Sequence, residues 1–106
     1  MNKKQIQQGD VLLKRIDKLP KSLEKINHLI LAEGETTGHA HVIEQTEGTA
    51  TLFKEEKGNL FLLIKNGQVV LKHQEHKNII IDPGIYKIGR VLEYDWDSHE
   101  QKIIRD

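Results

Sequence analysis

The chain has 106 residues, a mass of 12.2 kDa, no cysteine, and sixteen basic residues balanced by sixteen acidic ones. That length predicts one domain over residues 1–106, and the lack of cysteine excludes disulfides, thiolate metal sites and a cysteine nucleophile. Zero net charge removes the global field that would draw the protein to nucleic acid or to a membrane surface.

The longest apolar run, "LFLLI", is far short of the roughly 20 residues of a membrane helix. "MNKKQIQQGD" at the start lacks the apolar segment of a signal peptide, so a cytoplasmic location is expected. "DVLLKRI" (10–16) is the first predicted strand. "KSLEKI" (21–26) reads as one helical turn behind Pro20, with Ser22 as its cap. "HLILAE" (28–33) is a strand, "GETTG" a turn, and "HAHVIEQ" (39–45) and "TATLFKE" (49–55) are strands separated by Glu47-Gly48. "EKGN" (56–59) leads into "LFLLIK" (60–65). Asn66-Gly67, which tolerates positive φ at both positions, predicts a two-residue hairpin onto "QVVLKHQ" (68–74).

After "EHKN" comes "IIID" (79–82), then Pro83-Gly84 as a type II turn. "IYKIGRVLEYDW" (85–96) is the last long strand, with a bulge expected at Gly89 and "QKII" as a short edge strand beyond it. About eight short antiparallel strands and little helix predict an all-β barrel or jelly roll. Alternation puts Tyr86, Ile88, Leu92, Tyr94 and Trp96 on one face, and Val69, Leu71 and His73 on another.

The chemistry lies in the histidines. His39 and His41 sit two apart on a predicted strand, so both imidazoles face one way, roughly 7 Å apart along the backbone. His73 ends an apolar row. His76, three residues on, joins it only if the chain turns between them. Three or four neutral imidazoles converging in a small barrel suit a divalent transition metal: zinc, iron, manganese, nickel or copper. The expected metal site is therefore His39, His41 and His73, with His76 as a fourth ligand or a lining residue. The structural alternative is that these histidines only bond backbone groups at strand ends. His28 and His99 have no such partners and read as surface residues.

Other chemistries find little support. The glycines are scattered at turns, with no phosphate-binding loop, and Ser22 and Ser98 lack a nucleophile context. Glu33, Glu35 and Glu44 read as solubilising surface groups. Lys14, Arg15, Lys18, Lys21 and Lys25 form a basic stretch, but few aromatics accompany it, so nucleic acid is not expected as a partner. Basic residues dominate 1–26 and 57–90 and acidic ones 27–56 and 91–106, a block pattern that could pair within one fold or across a homo-oligomer.

Gly34, the "HAH" pair and a later histidine near "DPGIY" resemble a minimal cupin. That resemblance, over about residues 34–86, implies a jelly roll with a divalent metal held by histidines and a small-molecule ligand. The sequence departs from the cupin pattern in two ways. The family's glutamate position falls on Gln45, with Glu44 one place early, and His73 and His76 precede the Pro83-Gly84 turn instead of following it. The whole chain, through "QQGDVLL", "LAEGETTGHAH", His-x-x-His and "PGIY", is similar to a group of small bacterial proteins that carry no activity to transfer. "GDVLLKRI" also resembles the first strand of the small co-chaperonin barrel, as a shared strand pattern only. The leading expectation is a cupin-like metal-binding β-barrel acting on a small molecule. The alternative is a non-enzymatic binding or assembly module. Three histidines leave a metal position open, but no general acid or base is evident beside them, so catalysis is left open.

Overall fold

The computed structural model describes residues 5–33 and 39–90. The fold is all-β, with ten strands among the described residues. They are β1 (Gln5–Gln8), β2 (Val11–Ile16), β3 (Leu23–Ile26), β4 (Ile30–Glu33), β5 (Ala40–Gln45), β6 (Thr49–Glu55), β7 (Leu60–Lys65), β8 (Val69–His73), β9 (His76–Ile81) and β10 (Gly84–Arg90). Six form one antiparallel sheet in the order β1-β2-β10-β7-β6-β3, and four form a second, β4-β5-β8-β9. Among the described residues no ladder joins the two sheets, so the architecture is a double sheet.

Alternation explains how the sheets meet. Val11 and Leu13 of β2 are fully buried while Lys14 is exposed, and Val69 and Leu71 of β8 are buried while Lys72 is exposed. These inward rows pack with Leu52, Leu62, Ile64, Ile81 and Tyr86 into one core drawn from both sheets. Each such aliphatic side chain contributes about 1.5–3 kcal/mol on burial. Tyr86 is anchored by its hydroxyl, which donates to the Asp82 carbonyl at 2.8 Å. Tyr86 and Ile88 lie on the inward face of β10 as expected; Leu92, Tyr94, Trp96 and "QKII" lie outside the described residues.

Four local expectations are corrected. Residues 21–26 are not a helical turn: Ser22 has a φ of 63°, and β3 pairs with β6 through Leu23↔Glu55 and Ile26↔Leu52. A distant strand partner overrides the weak helical signal. Gly89 is not a bulge, because β10 pairs without interruption from Ile85↔Ile16 to Arg90↔Val11. Pro83-Gly84 is not a type II turn: Gly84 is already the first residue of β10, at a φ of 154° where that turn needs about +80°.

The fourth correction has the largest consequence. Asn66 and Gly67 do adopt positive φ, 68° and 135°, but β7 and β8 do not pair with each other. Instead β7 pairs with β6 and β8 with β5, so the two segments run as one long ribbon that bends from sheet to sheet. The bend is a pair of interlocked corners. The Gly48 amide donates to the Gln68 carbonyl at 2.9 Å, and Thr46 Oγ1 donates to the same oxygen at 2.9 Å. The left-handed Asn-Gly step makes a corner here because a second small residue, Gly48, nests against it. The ribbon reverses at its far end, where the Gly58 amide donates to Glu55.

Candidate metal centre

Three chain segments meet at one end of the double sheet. The first is the turn at Gly9 and Asp10, where Gln8 pairs with Val11. Gly9 has a φ of 59°, the glycine-first arrangement that a type II′ hairpin needs. The second is the start of β5, carrying His39 and His41. The third is the turn at Gln74 and Glu75, which brings His73 opposite His76. The chain thus turns between His73 and His76, as their pairing requires, and β9 begins at His76, within "EHKN", instead of at Ile79.

A bulge sets the aim of His76. The β8–β9 register runs Leu71↔Ile79 and then His73↔His76, so Lys77 and Asn78 together oppose Lys72. Without that extra residue Lys77 would stand across from His73. With it, both histidines share a face. Gly9 leaves the room: a Cβ on it would lie 2.6 Å from His76 Nε2.

All four imidazoles named from the sequence are brought together. Ring centroids are 4.2 Å apart for His41 and His73, 4.8 Å for His73 and His76, and 5.8 Å for both His39–His73 and His41–His76. On one tetrahedral ion with bonds of about 2.1 Å, donor nitrogens stand about 3.4 Å apart, a spacing these rings can reach. His28 lies elsewhere, its Nδ1 accepting from the Ile30 amide. Glu44 faces outward beside Lys72, 3.3 Å away. His99, Glu35 and the Glu33 side chain lie outside the described residues.

His41 is the best-oriented of the four, and the residue that orients it is Gln8. Gln8 is wholly buried, and its amide nitrogen donates to the Leu71 carbonyl at 3.1 Å and the Lys77 carbonyl at 2.8 Å. Carbonyls only accept, so the amide oxygen must face the other way, onto His41 Nδ1 at 2.9 Å. Nδ1 therefore carries a proton, and the neutral ring keeps its lone pair on Nε2. Burial, then the neighbouring His73, pushes the His41 pKa down to about 4. The ring is neutral near pH 7, and its 3.5 Å approach to Asp10 is not an ion pair there.

His39 is arranged in the same sense. Its Nδ1 lies 3.3 Å from Glu75 Oε2, and the Gln74 side chain accepts from the neighbouring Ala40 amide at 3.0 Å. Carboxylates and amides on Nδ1 are the outer partners that steady histidine ligands. His73 differs: its Nδ1 accepts from the Glu75 amide at 3.0 Å, so its neutral form holds a proton on Nε2. It would have to turn, or give up that bond, to ligate through Nε2. Consistent with this, no three His, Asp or Glu groups among the described residues already form a ready metal-holding set.

Gln8, Asp10, Glu75 and Arg90 are the site residues that sequence reasoning missed. Arg90 donates twice to Asp10 Oδ2, from Nε at 3.1 Å and Nη2 at 2.6 Å. Burial works against ionising Asp10, but the Arg90 hydrogen bond and charge outweigh it and hold the carboxyl below its usual range. The only sequence sign of Gln8 and Asp10 is the "QQGDVLL" stretch, which carries part of the resemblance to small bacterial proteins; Glu75 and Arg90 have none.

The depressed pKa of His41, with that of His73 lowered in the same direction by burial, makes the folded chain sensitive to acid. The unfolded chain takes up a proton near pH 6.5, whereas the folded chain resists until about pH 4. Below pH 6.5 the unfolded state binds more protons, so stability falls with pH through the window from about 6.5 to about 4. Thermal midpoints across that window should drop, and His41→Phe should flatten the drop. An identical slope in the variant would show that other groups dominate.

The model of a domain of unknown function, DUF8820, matches residues 7–91, and the chain belongs to that family. No curated protein and no solved structure matches it. No helix among the described residues is long and apolar enough to cross a membrane.

Proposed function

We propose that this member of the DUF8820 family binds one divalent transition ion through a histidine centre at the end of a cupin-like double sheet, and that the ion serves a small-molecule ligand. One observation carries the reading: His41, 2 % exposed, is held by Gln8 with its Nε2 lone pair free, inside a cluster of four imidazoles. A buried polar ring that merely needed a partner would be satisfied by Gln8 alone. Three more imidazoles stand in the same cluster, His73 and His76 beside His41 and His39 beside His73, and together they offer the neutral nitrogen donors that a single cation needs.

His39 and His41 are the primary ligands in this reading, His73 joins them on turning, and His76 lines the site or adds a fourth nitrogen. Neutral imidazoles suit zinc, iron, nickel or copper(II), with manganese favoured where carboxylate oxygens join. Elemental analysis of protein purified without a histidine tag tests the reading. About one transition ion per chain is expected, and it should be lost from the His39→Ala/His41→Ala double variant while the β circular-dichroism signal persists. A metal-free wild type after incubation with each ion, or a double variant that keeps its metal, would contradict it.

A further inference from the structure

We propose that Asp10 is itself a ligand of this ion, supplying one carboxylate oxygen from the β1–β2 turn; the proposal rests on the histidine-centre reading above. Asp10 Oδ2 is fully engaged by the two Arg90 donors, which fixes the carboxylate's rotation and leaves Oδ1 turned toward His41 Nε2 at 3.5 Å. The Nδ1 proton of His41 is committed to Gln8, whose own orientation is fixed by two carbonyls. Two atoms that each present a lone pair therefore face each other, and neither has a hydrogen to offer.

Distance separates the two ways of relieving that repulsion. A charge-assisted hydrogen bond from a protonated imidazole would draw the pair to about 2.7–2.9 Å. The observed 3.5 Å is too long for that. It does match two donors on one metal: with bonds of about 2.1 Å, a 3.5 Å separation subtends about 110° at the ion, close to tetrahedral. The site then combines imidazole nitrogens with one carboxylate oxygen. Such a set favours zinc, iron, manganese or nickel over copper(I), which prefers sulfur ligands. Arg90 acts on Asp10 as an outer partner acts on a ligating carboxylate, orienting it and keeping it ionised.

Cobalt(II) titration of the full chain tests this, because its visible absorption reports both affinity and the donor set. Asp10→Asn keeps the side-chain shape and an oxygen for Arg90 but removes the anionic donor. The expected result is an affinity loss greater than about 100-fold with a shifted cobalt spectrum, beyond the roughly 10–100-fold cost of losing an outer partner. Thermal melts of the metal-free samples accompany the titration. If Asp10→Asn melts early, Asp10→Glu takes its place, with cobalt retained and its spectrum displaced. An Asp10→Asn chain with wild-type affinity, or a smaller loss with an unchanged spectrum, would overturn the Asp10 assignment and leave the histidine centre standing. A wild type that takes up no cobalt overturns both.

Discussion

Replacing Gln8 with leucine is expected to destabilise the protein by about 2–5 kcal/mol and to weaken metal binding by about 10–100-fold. The substitution keeps bulk at a position of 0 % exposure but removes the bonds that Gln8 makes to the Leu71 and Lys77 carbonyls and to His41 Nδ1–H together. Each buried group left without a partner costs about 1–3 kcal/mol, and His41 can relieve one by moving its proton to Nε2. That relief removes the lone pair from the side where the ion would sit, so stability and affinity fall for one reason. Gln8→Glu separates the two effects. It still accepts from His41 but cannot donate to both carbonyls, so affinity should survive better than stability. Urea denaturation and cobalt titration of both variants give the comparison. Equal affinities for wild type and Gln8→Leu would show that His41 needs no orienting partner.

Gly48→Ala is expected to cost at least about 3 kcal/mol, at or above the usual range for overpacking. A Cβ there would lie 2.0 Å from the Gly67 carbonyl oxygen and 2.8 Å from that of Lys65. Both obstacles are backbone, so no side-chain rotation makes room, and the interlocked corners must separate. Gly58 provides the contrast: at a φ of 101° with no atom within 4 Å of an added Cβ, alanine there meets only the left-handed penalty of about 1–2 kcal/mol. Since the corners carry β5 and β8 into the sheet that holds the histidines, Gly48→Ala should also lower metal affinity. Chemical denaturation midpoints for the two alanine variants test this, and equal values would contradict the corner account.

The β content and most strand positions were legible because turn residues and alternation are local signals. "TATLFKE" and "LFLLIK" coincide with β6 and β7 residue for residue. The convergence of the four histidines was legible for the same reason, through His-x-His spacing and a row ending at His73. What the sequence hid depends on distant contacts. β1, "QIQQ", reads as polar surface, and only the carbonyls of β8 and β9 explain why Gln8 turns inward. Asn66-Gly67 announced positive φ correctly, but Gly48, nearly twenty residues earlier in the chain, decides that it is a corner and not a reversal. The Lys77–Asn78 bulge, which brings His76 beside His73, leaves no mark in a pattern of alternation that it interrupts.

Anomalous diffraction from crystals of the zinc-loaded protein, collected at the zinc edge, tests the central claim most directly. The account predicts a single strong peak per chain, about 2.1 Å from nitrogens of His39 and His41 and from an Asp10 oxygen, with His73 turned toward it. A peak bound elsewhere on the chain, or no peak among the four imidazoles at full zinc loading, would contradict it.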